Sequence, residues 1–235
     1  MKAVVLAGGK GTRLAPYTKI LPKPLMPIGD MPILEILLRQ MKWAGIEEVI
    51  LTVGYLEELF RAFFKDGARY GLRIRYSFED HPLGTAGPLS LIDDLHETFL
   101  VCNGDILTTL DMKQLVDYHR ANGATATIAM HSRQVKIDLG VLKLNGSCEI
   151  IGIQEKPTYD FQVSMGIYVF EPRVLDYIPY NQYLDFPDLV TELLAHGERV
   201  IGYPFKGYWQ DLGSPADYEQ AVEDFEQIRH KILRA

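Results

Sequence analysis

The 235-residue chain carries 24 Lys and Arg against 31 Asp and Glu, a formal charge of −7, with 47% hydrophobic and 23% charged residues. That length and balance suit a globular chain with a continuous core, and the acidity argues against nonspecific nucleic-acid binding. No apolar run reaches the roughly 18 residues that a membrane-spanning helix needs. At the start, Lys2 is followed by five apolar residues (3–7) and then by Gly8-Gly9, too short a core for a signal peptide. Cys102 and Cys148 sit in apolar, strand-like runs without ligand spacing and read as reduced core residues of a cytoplasmic protein.

In chain order, residues 3–7 read as a buried strand. A Gly- and Pro-rich loop over 8–31 follows. Pro32 suits the first turn of a helix whose apolar stripe is Leu34, Leu37, Leu38 and Met41 and whose stop is Gly45. The pattern then predicts a strand over 49–53, a helix over 56–64, a strand over 74–78, a helix over 84–95, a strand over 99–102 and a helix over 112–122. Strand and helix alternate, which implies a mostly parallel sheet with helices on both faces. The second half is richer in strands: 125–130, 140–144, 149–154, 163–170 and 200–203, with a closing helix over 215–229. No internal repeat, hexapeptide β-helix repeat or linker is evident, so one domain over 1–235 is the simplest reading.

Ligands of such sheets bind outside the carboxyl ends of the strands. The rule selects the loop after Ala7, the segment after Phe78 and the Asn103-Gly104-Asp105 turn. Charge agrees: residues 1–29 contain Lys2, Lys10, Arg13, Lys19 and Lys23, and the first carboxylate is Asp30. An acidic protein that opens with a purely basic segment has a local reason to attract anions. The segment Gly8-Gly9-Lys10-Gly11-Thr12-Arg13-Leu14 matches neither Walker A nor the dinucleotide fingerprint. Its glycines still let backbone N–H groups approach a triphosphate, and Arg13 can pair with phosphate through two parallel hydrogen bonds. Pro22 and Pro24 hold Lys23 in pre-organised backbone between them.

Together these residues, from Gly8 through Pro16 and then Pro22-Lys23-Pro24, resemble the signature of the sugar-phosphate nucleotidyltransferases. The resemblance runs along the chain. Leu83-Gly84-Thr85-Ala86-Gly87-Pro88-Leu89 looks like the family's base-binding turn, in the form of the mannose-1-phosphate guanylyltransferases. Asn103-Gly104-Asp105 resembles its first metal site, Glu155-Lys156-Pro157 its sugar-phosphate motif, and Trp209-Gln210-Asp211-Leu212-Gly213 its second metal site. The resemblance implies a Rossmann-like α/β fold. It also implies transfer of a nucleoside monophosphate from an NTP, GTP favoured, to a sugar 1-phosphate, with release of pyrophosphate.

By the same resemblance, Asp105 and Asp211 hold Mg²⁺, and Arg13 and Lys23 act on the triphosphate. Leu6, Gly8, Gly9, Gly11, Thr12, Glu79, Gly84 and Thr85 contact the nucleotide, and Gly140, Glu155, Lys156 and Ser164 the sugar phosphate. Ser164-Met165-Gly166 departs from the Asn-x-Gly that relatives commonly carry, and Leu139 stands where a tyrosine is common, so the sugar stays open among hexose, heptose and other cyclic phosphates. Glu79 favours guanine because a carboxylate can accept from both N1–H and the N2 amino group. Taken singly, each residue has a plainer reading: Asp105 as a turn residue, Asp211 as a helix cap near Ser214, Glu155-Lys156 as an exposed pair, Glu79 as a solvated strand end. Uridylyl, thymidylyl or cytidylyl transfer, a non-catalytic nucleotide-sugar sensor, and a homo-oligomeric assembly remain open alternatives. A glycosyltransferase is disfavoured, because the Asn103 turn lacks the first carboxylate of an Asp-x-Asp motif.

Overall fold

The protein is described by a computed structural model that covers residues 1–9 and 11–233; Lys10, part of the basic opening segment, lies outside the described residues. In chain order the elements are β1 (Lys2–Leu6), β2 (Pro27–Ile28), β3 (Met31–Pro32), α1 (Ile33–Trp43), β4 (Glu48–Val53), α2 (Glu57–Phe64), β5 (Arg73–Phe78), β6 (Phe99–Asn103), β7 (Ile106–Thr108) and α3 (Met112–Asn122). They continue with β8 (Ala126–Lys136), β9 (Val141–Leu144), β10 (Ile150–Gln154), β11 (Thr158–Phe170), α4 (Phe186–Ala195), β12 (Val200–Phe205), β13 (Trp209–Asp211) and α5 (Pro215–Ile232).

Seven strands form one sheet in the order β12-β8-β11-β6-β1-β4-β5. β11 alone runs against the others, antiparallel to both β6 and β8, while β6, β1, β4 and β5 pair in parallel. β1 lies inside the sheet, between β6 and β4, and is buried on both faces: Ala3 and Val5 point into one core, Val4 into the other. That two-residue alternation within a wholly apolar run is what a strand buried on both faces requires. On one face α1 docks through Leu34, Leu37, Leu38 and Met41 and α2 through Phe60 and Phe64. On the other, α4 docks through Phe186, Leu189 and Leu193. α5 closes a third core, where Ala221, Phe225 and Ile232 meet Leu14, Ile28, Ile33 and Ile36.

Two expectations need correction. The helix over 84–95 is only a 3₁₀ turn, Gly87–Leu91. Gly84 has a positive φ of 76°, which a right-handed helix does not admit, and the amides of Ala86 and Gly87 both donate to the Leu184 carbonyl at 2.9 and 3.0 Å. The backbone is thus held open by a distant segment. Cys148 is exposed in the turn between β9 and β10, while Cys102 is buried in β6; neither forms a disulfide.

Candidate functional site

The order of the strands reverses direction between β1 and β6, and the loops leaving them splay apart there. They bound a crevice of about 330 Å³ lined by Leu6, Gly8, Gly9, Gly11, Arg13, Lys23, Thr52, Glu79, Gly84, Thr85, Asn103 and Asp105. All three loops selected from the sequence therefore meet, at the place where the topology puts ligands. The loop after β1 is not irregular: it coils through three 3₁₀ turns, Thr12–Leu14, Tyr17–Lys19 and Lys23–Leu25. Leu14 and Leu25 anchor it in the core, and the Thr18 hydroxyl donates to the Gly11 carbonyl at 2.8 Å. A glycine-rich loop pinned in this way presents fixed backbone donors without first having to be ordered.

One corner of the crevice concentrates charge. Lys23, only 7% exposed, donates to the Asp105 carboxylate and lies 3.7 Å from that of Asp211. The two aspartates come from separate segments that pair as strands, β7 against β13, with Asp211 opposite Ile106. Partial burial pushes the Asp211 carboxyl upward in pKa, and the neighbouring Asp105 charge pushes it further, against Lys23 and Arg13. Arg13 reaches the same corner: a Cβ built on Gly213 would lie 3.2 Å from Asp211 Oδ2 and 3.4 Å from Arg13 Nη1. Asp211 is therefore not the cap of α5. That role falls to Ser214, whose hydroxyl oxygen accepts from Asp217 N at 3.2 Å.

Among the described residues no group of three or more His, Cys, Asp or Glu gathers as a metal cage. Two converging carboxylates nevertheless suit Mg²⁺, which takes one or two protein carboxylates and completes its shell with waters and substrate phosphates.

Across the crevice stands Glu79, half-buried just after β5. Its carboxylate lies directly over Gly8, where a Cβ would meet Oε1, so any side chain at that position would displace Glu79 from the crevice wall. Oε2 accepts from Leu83 N at 3.3 Å. Burial raises the Glu79 pKa, opposed by that backbone bond and by His81. Next to it, Thr85 lines the crevice but gives its amide and hydroxyl to Asp185 Oδ1, at 2.9 and 3.0 Å. Sequence reading did not select Asp185, because nothing local shows a carboxylate reaching 100 residues back along the chain.

The residues expected on the sugar side lie elsewhere. Gly140, Glu155 and Lys156 cluster at the base of the β9–β10 hairpin, where a Cβ on Gly140 would sit 3.1 Å from Glu155 Oε2. They do not line the crevice, and neither do Ser164 and Thr12. Lys156 is exposed, with a left-handed φ of 45° that holds it against its ordinary preference. Ser164 donates to the Tyr168 hydroxyl at 3.1 Å inside the irregularity of β11. From the same bulge the Met165 carbonyl accepts from Trp209 Nε1 at 3.0 Å, which joins this part of β11 to the β13 strand that ends at Asp211.

Comparison with known proteins identifies the family. The chain is 38% identical over 94% of its length to a mannose-1-phosphate guanylyltransferase of Mycobacterium tuberculosis, covering 64% of that protein. It is 36% identical over 94% of its length to a UTP–glucose-1-phosphate uridylyltransferase of Synechocystis, covering 62% of it. The chain thus spans a little under two thirds of these relatives. A crystal structure from Bacillus anthracis, assigned as a glucose-1-phosphate thymidylyltransferase and holding sucrose, superposes with a TM-score of 0.77 at 26% identity over 95% of this chain and 94% of that one. The sequence pattern of the nucleotidyl transferase family matches residues 2–228, and the chain belongs to that family.

Proposed function

We propose that residues 1–235 act as one domain that transfers a nucleoside monophosphate from an NTP, with GTP favoured, to a sugar 1-phosphate. The observation that carries the reading is the charged corner: Asp105 and Asp211 converge on buried Lys23 beside Arg13, at the mouth of a glycine-walled crevice. The nucleophile is a phosphate oxygen and already an anion, so no general base is needed. It forms a bond to the α-phosphorus while the α–β bridging oxygen leaves with the electron pair as pyrophosphate. The barrier falls by holding two polyanions together and by meeting developing charge with fixed positive groups.

Lys23 holds the α-phosphate, Arg13 faces the leaving pyrophosphate, and the backbone of Gly8, Gly9 and Gly11 lies along the triphosphate. Lys156 takes the phosphate of the sugar and Glu155 its hydroxyls. Asp105 and Asp211 would hold Mg²⁺, which supplies charge neutralisation to the phosphates when bound. Guanine is favoured because the Glu79 carboxylate can accept from both of its adjacent donors. The two free thiols suit a cytoplasmic setting.

A matrix of the common NTPs against sugar 1-phosphates, read by pyrophosphate release in Mg²⁺, tests this. Release should require both substrates and be fastest with GTP. Release from no pair would overturn the transfer reading. UTP or dTTP outrunning GTP would overturn only the base assignment, in keeping with the uridylyl- and thymidylyltransferase relatives.

A further inference from the structure

Two helices of this protein begin at an aspartate, and the two aspartates behave differently. Asp111 starts α3 in the usual way: its Oδ1 accepts from Lys113 N at 3.0 Å and Gln114 N at 3.2 Å, satisfying amides that the helix leaves open. Asp185 starts α4 and caps nothing with its side chain. Its Oδ1 instead takes the amide and hydroxyl of Thr85, and its Oδ2 accepts from the Tyr183 hydroxyl at 2.6 Å. The first amide of α4, that of Phe186, is satisfied by the Thr85 hydroxyl oxygen at 2.8 Å. Each partner does for the other what a helix cap ordinarily does for itself.

The surrounding backbone repeats the interlock. Leu184 N donates to the Leu83 carbonyl, and the Leu184 carbonyl accepts from Ala86 N and Gly87 N. Gly84 is pressed against this segment: a Cβ there would meet the Leu184 carbonyl oxygen at 2.6 Å and Asp185 Oδ1 at 2.9 Å. Glu79 joins the same chain of contacts through Leu83 N. The wall that carries Glu79, Gly84 and Thr85 therefore has no regular secondary structure of its own, and its shape is set by the segment that opens α4.

We infer that Asp185 is a positioning residue for nucleotide recognition, fixing the Gly84-Thr85 turn against Glu79 so that the base meets a preformed edge. The inference rests on the nucleotidyl-transfer reading for its substrate. Pre-organisation of this kind shows in binding, since a loosened wall must be reordered by each incoming nucleotide. The charge of Asp185 is not what matters, because an amide oxygen can accept the same two bonds from Thr85 while its NH₂ donates to Tyr183.

Three proteins decide it: wild type, Asp185→Ala and Asp185→Asn, compared by steady-state kinetics with each substrate varied and by calorimetric titration with GTP and UTP. In Asp185→Ala the GTP KM and dissociation constant should rise about tenfold, as loss of the two partly buried bonds to Thr85, with the more exposed Tyr183 bond adding little, implies. Its preference for GTP over UTP should shrink, while kcat and the sugar-phosphate KM move far less. Asp185→Asn should restore most of the nucleotide affinity. The inference fails if Asp185→Ala keeps its GTP affinity and base preference, or if both variants lose affinity for the two substrates alike in step with a fallen Tm. A wild type that binds GTP but releases no pyrophosphate would sink the transfer reading alone, and the titrations would still judge Asp185. A wild type that binds no nucleotide would overturn both.

Discussion

Lys23 carries the most constrained charge in the crevice, and its two partners set what substitution there should do. Either aspartate alone still neutralises it, so Asp105→Asn or Asp211→Asn removes a carboxylate without leaving a buried unpaired cation, the costly outcome. Each variant should fold with near wild-type Tm yet lose nearly all turnover, because an ion clamp on the phosphates is worth several kcal/mol in the transition state. Retention of more than about a tenth of the activity at saturating Mg²⁺, equivalent to ~1.4 kcal/mol, would remove that residue from the site. Glu79 makes a different prediction because its burial favours the protonated form, so it titrates above the usual 4.5. As pH falls through that raised value the carboxylate becomes a donor as well as an acceptor and loses its match to guanine. The ratio of kcat/KM for GTP over UTP should therefore decline as the pH is lowered. Glu79→Gln should show a flat ratio shifted toward UTP or dTTP, by roughly tenfold to a hundredfold.

At the scale of elements, Arg13 and Lys156 ride on unlike supports, and their variants should fail differently. Arg13 belongs to the coiled loop after β1, anchored in the core by Leu14 and Leu25. Lys156 stands at the exposed junction of β10 and β11. Arg13→Ala should depress kcat and weaken the NTP, whereas Lys156→Ala should chiefly raise the KM for the sugar 1-phosphate; varying each substrate in turn measures both, and the reversed pattern would overturn the assignments. The same contrast explains what the sequence disclosed. Runs such as 3–7 and 49–53 and the Leu34-Leu37-Leu38-Met41 stripe reveal their elements because burial imposes a local period. Residues 84–95 do not, because the left-handed Gly84 and the Leu184 carbonyl, a contact distant in sequence, set the backbone there. The Asp105 and Lys23 loops could be placed by the strand-end rule, but Asp185 is defined by a contact 100 residues away in sequence, and local pattern carries no trace of it.

The whole molecule separates its two ends. At the carboxyl ends of the strands, charges converge on the crevice and keep Glu79 and Asp211 in environments that cost stability. The opposite end holds a larger concavity of about 490 Å³, lined by Lys2, Glu48, Arg73 and Asp94 among others. Several of its charges are paired: Lys2 pairs with Asp94, the neighbouring Arg75 bridges Asp94 at 2.5 Å and Glu48 at 2.9 Å, and Arg73 takes the other side of Glu48. This network of pairs contributes to stability. The Lys2 hydrogen bond leads in holding the Asp94 carboxyl at about 2, against 3.8 for the free group, with burial opposing and Arg75 assisting. A depressed acid contributes stability above its unfolded pKa and loses it as pH falls through the folded one. Asp94→Asn should therefore unfold more easily near neutral pH, with the deficit shrinking between about pH 4 and 2. Solvent reaches the pair, 27% and 36% exposed, which limits the effect to about 1 kcal/mol and makes it fade with added salt. Pyrophosphate release should stay at the wild-type rate throughout the neutral range. Denaturant melts at several pH values and salt concentrations measure the first part. A deficit that persists unchanged below pH 2, or a variant with impaired turnover, would mean that the two ends are coupled after all.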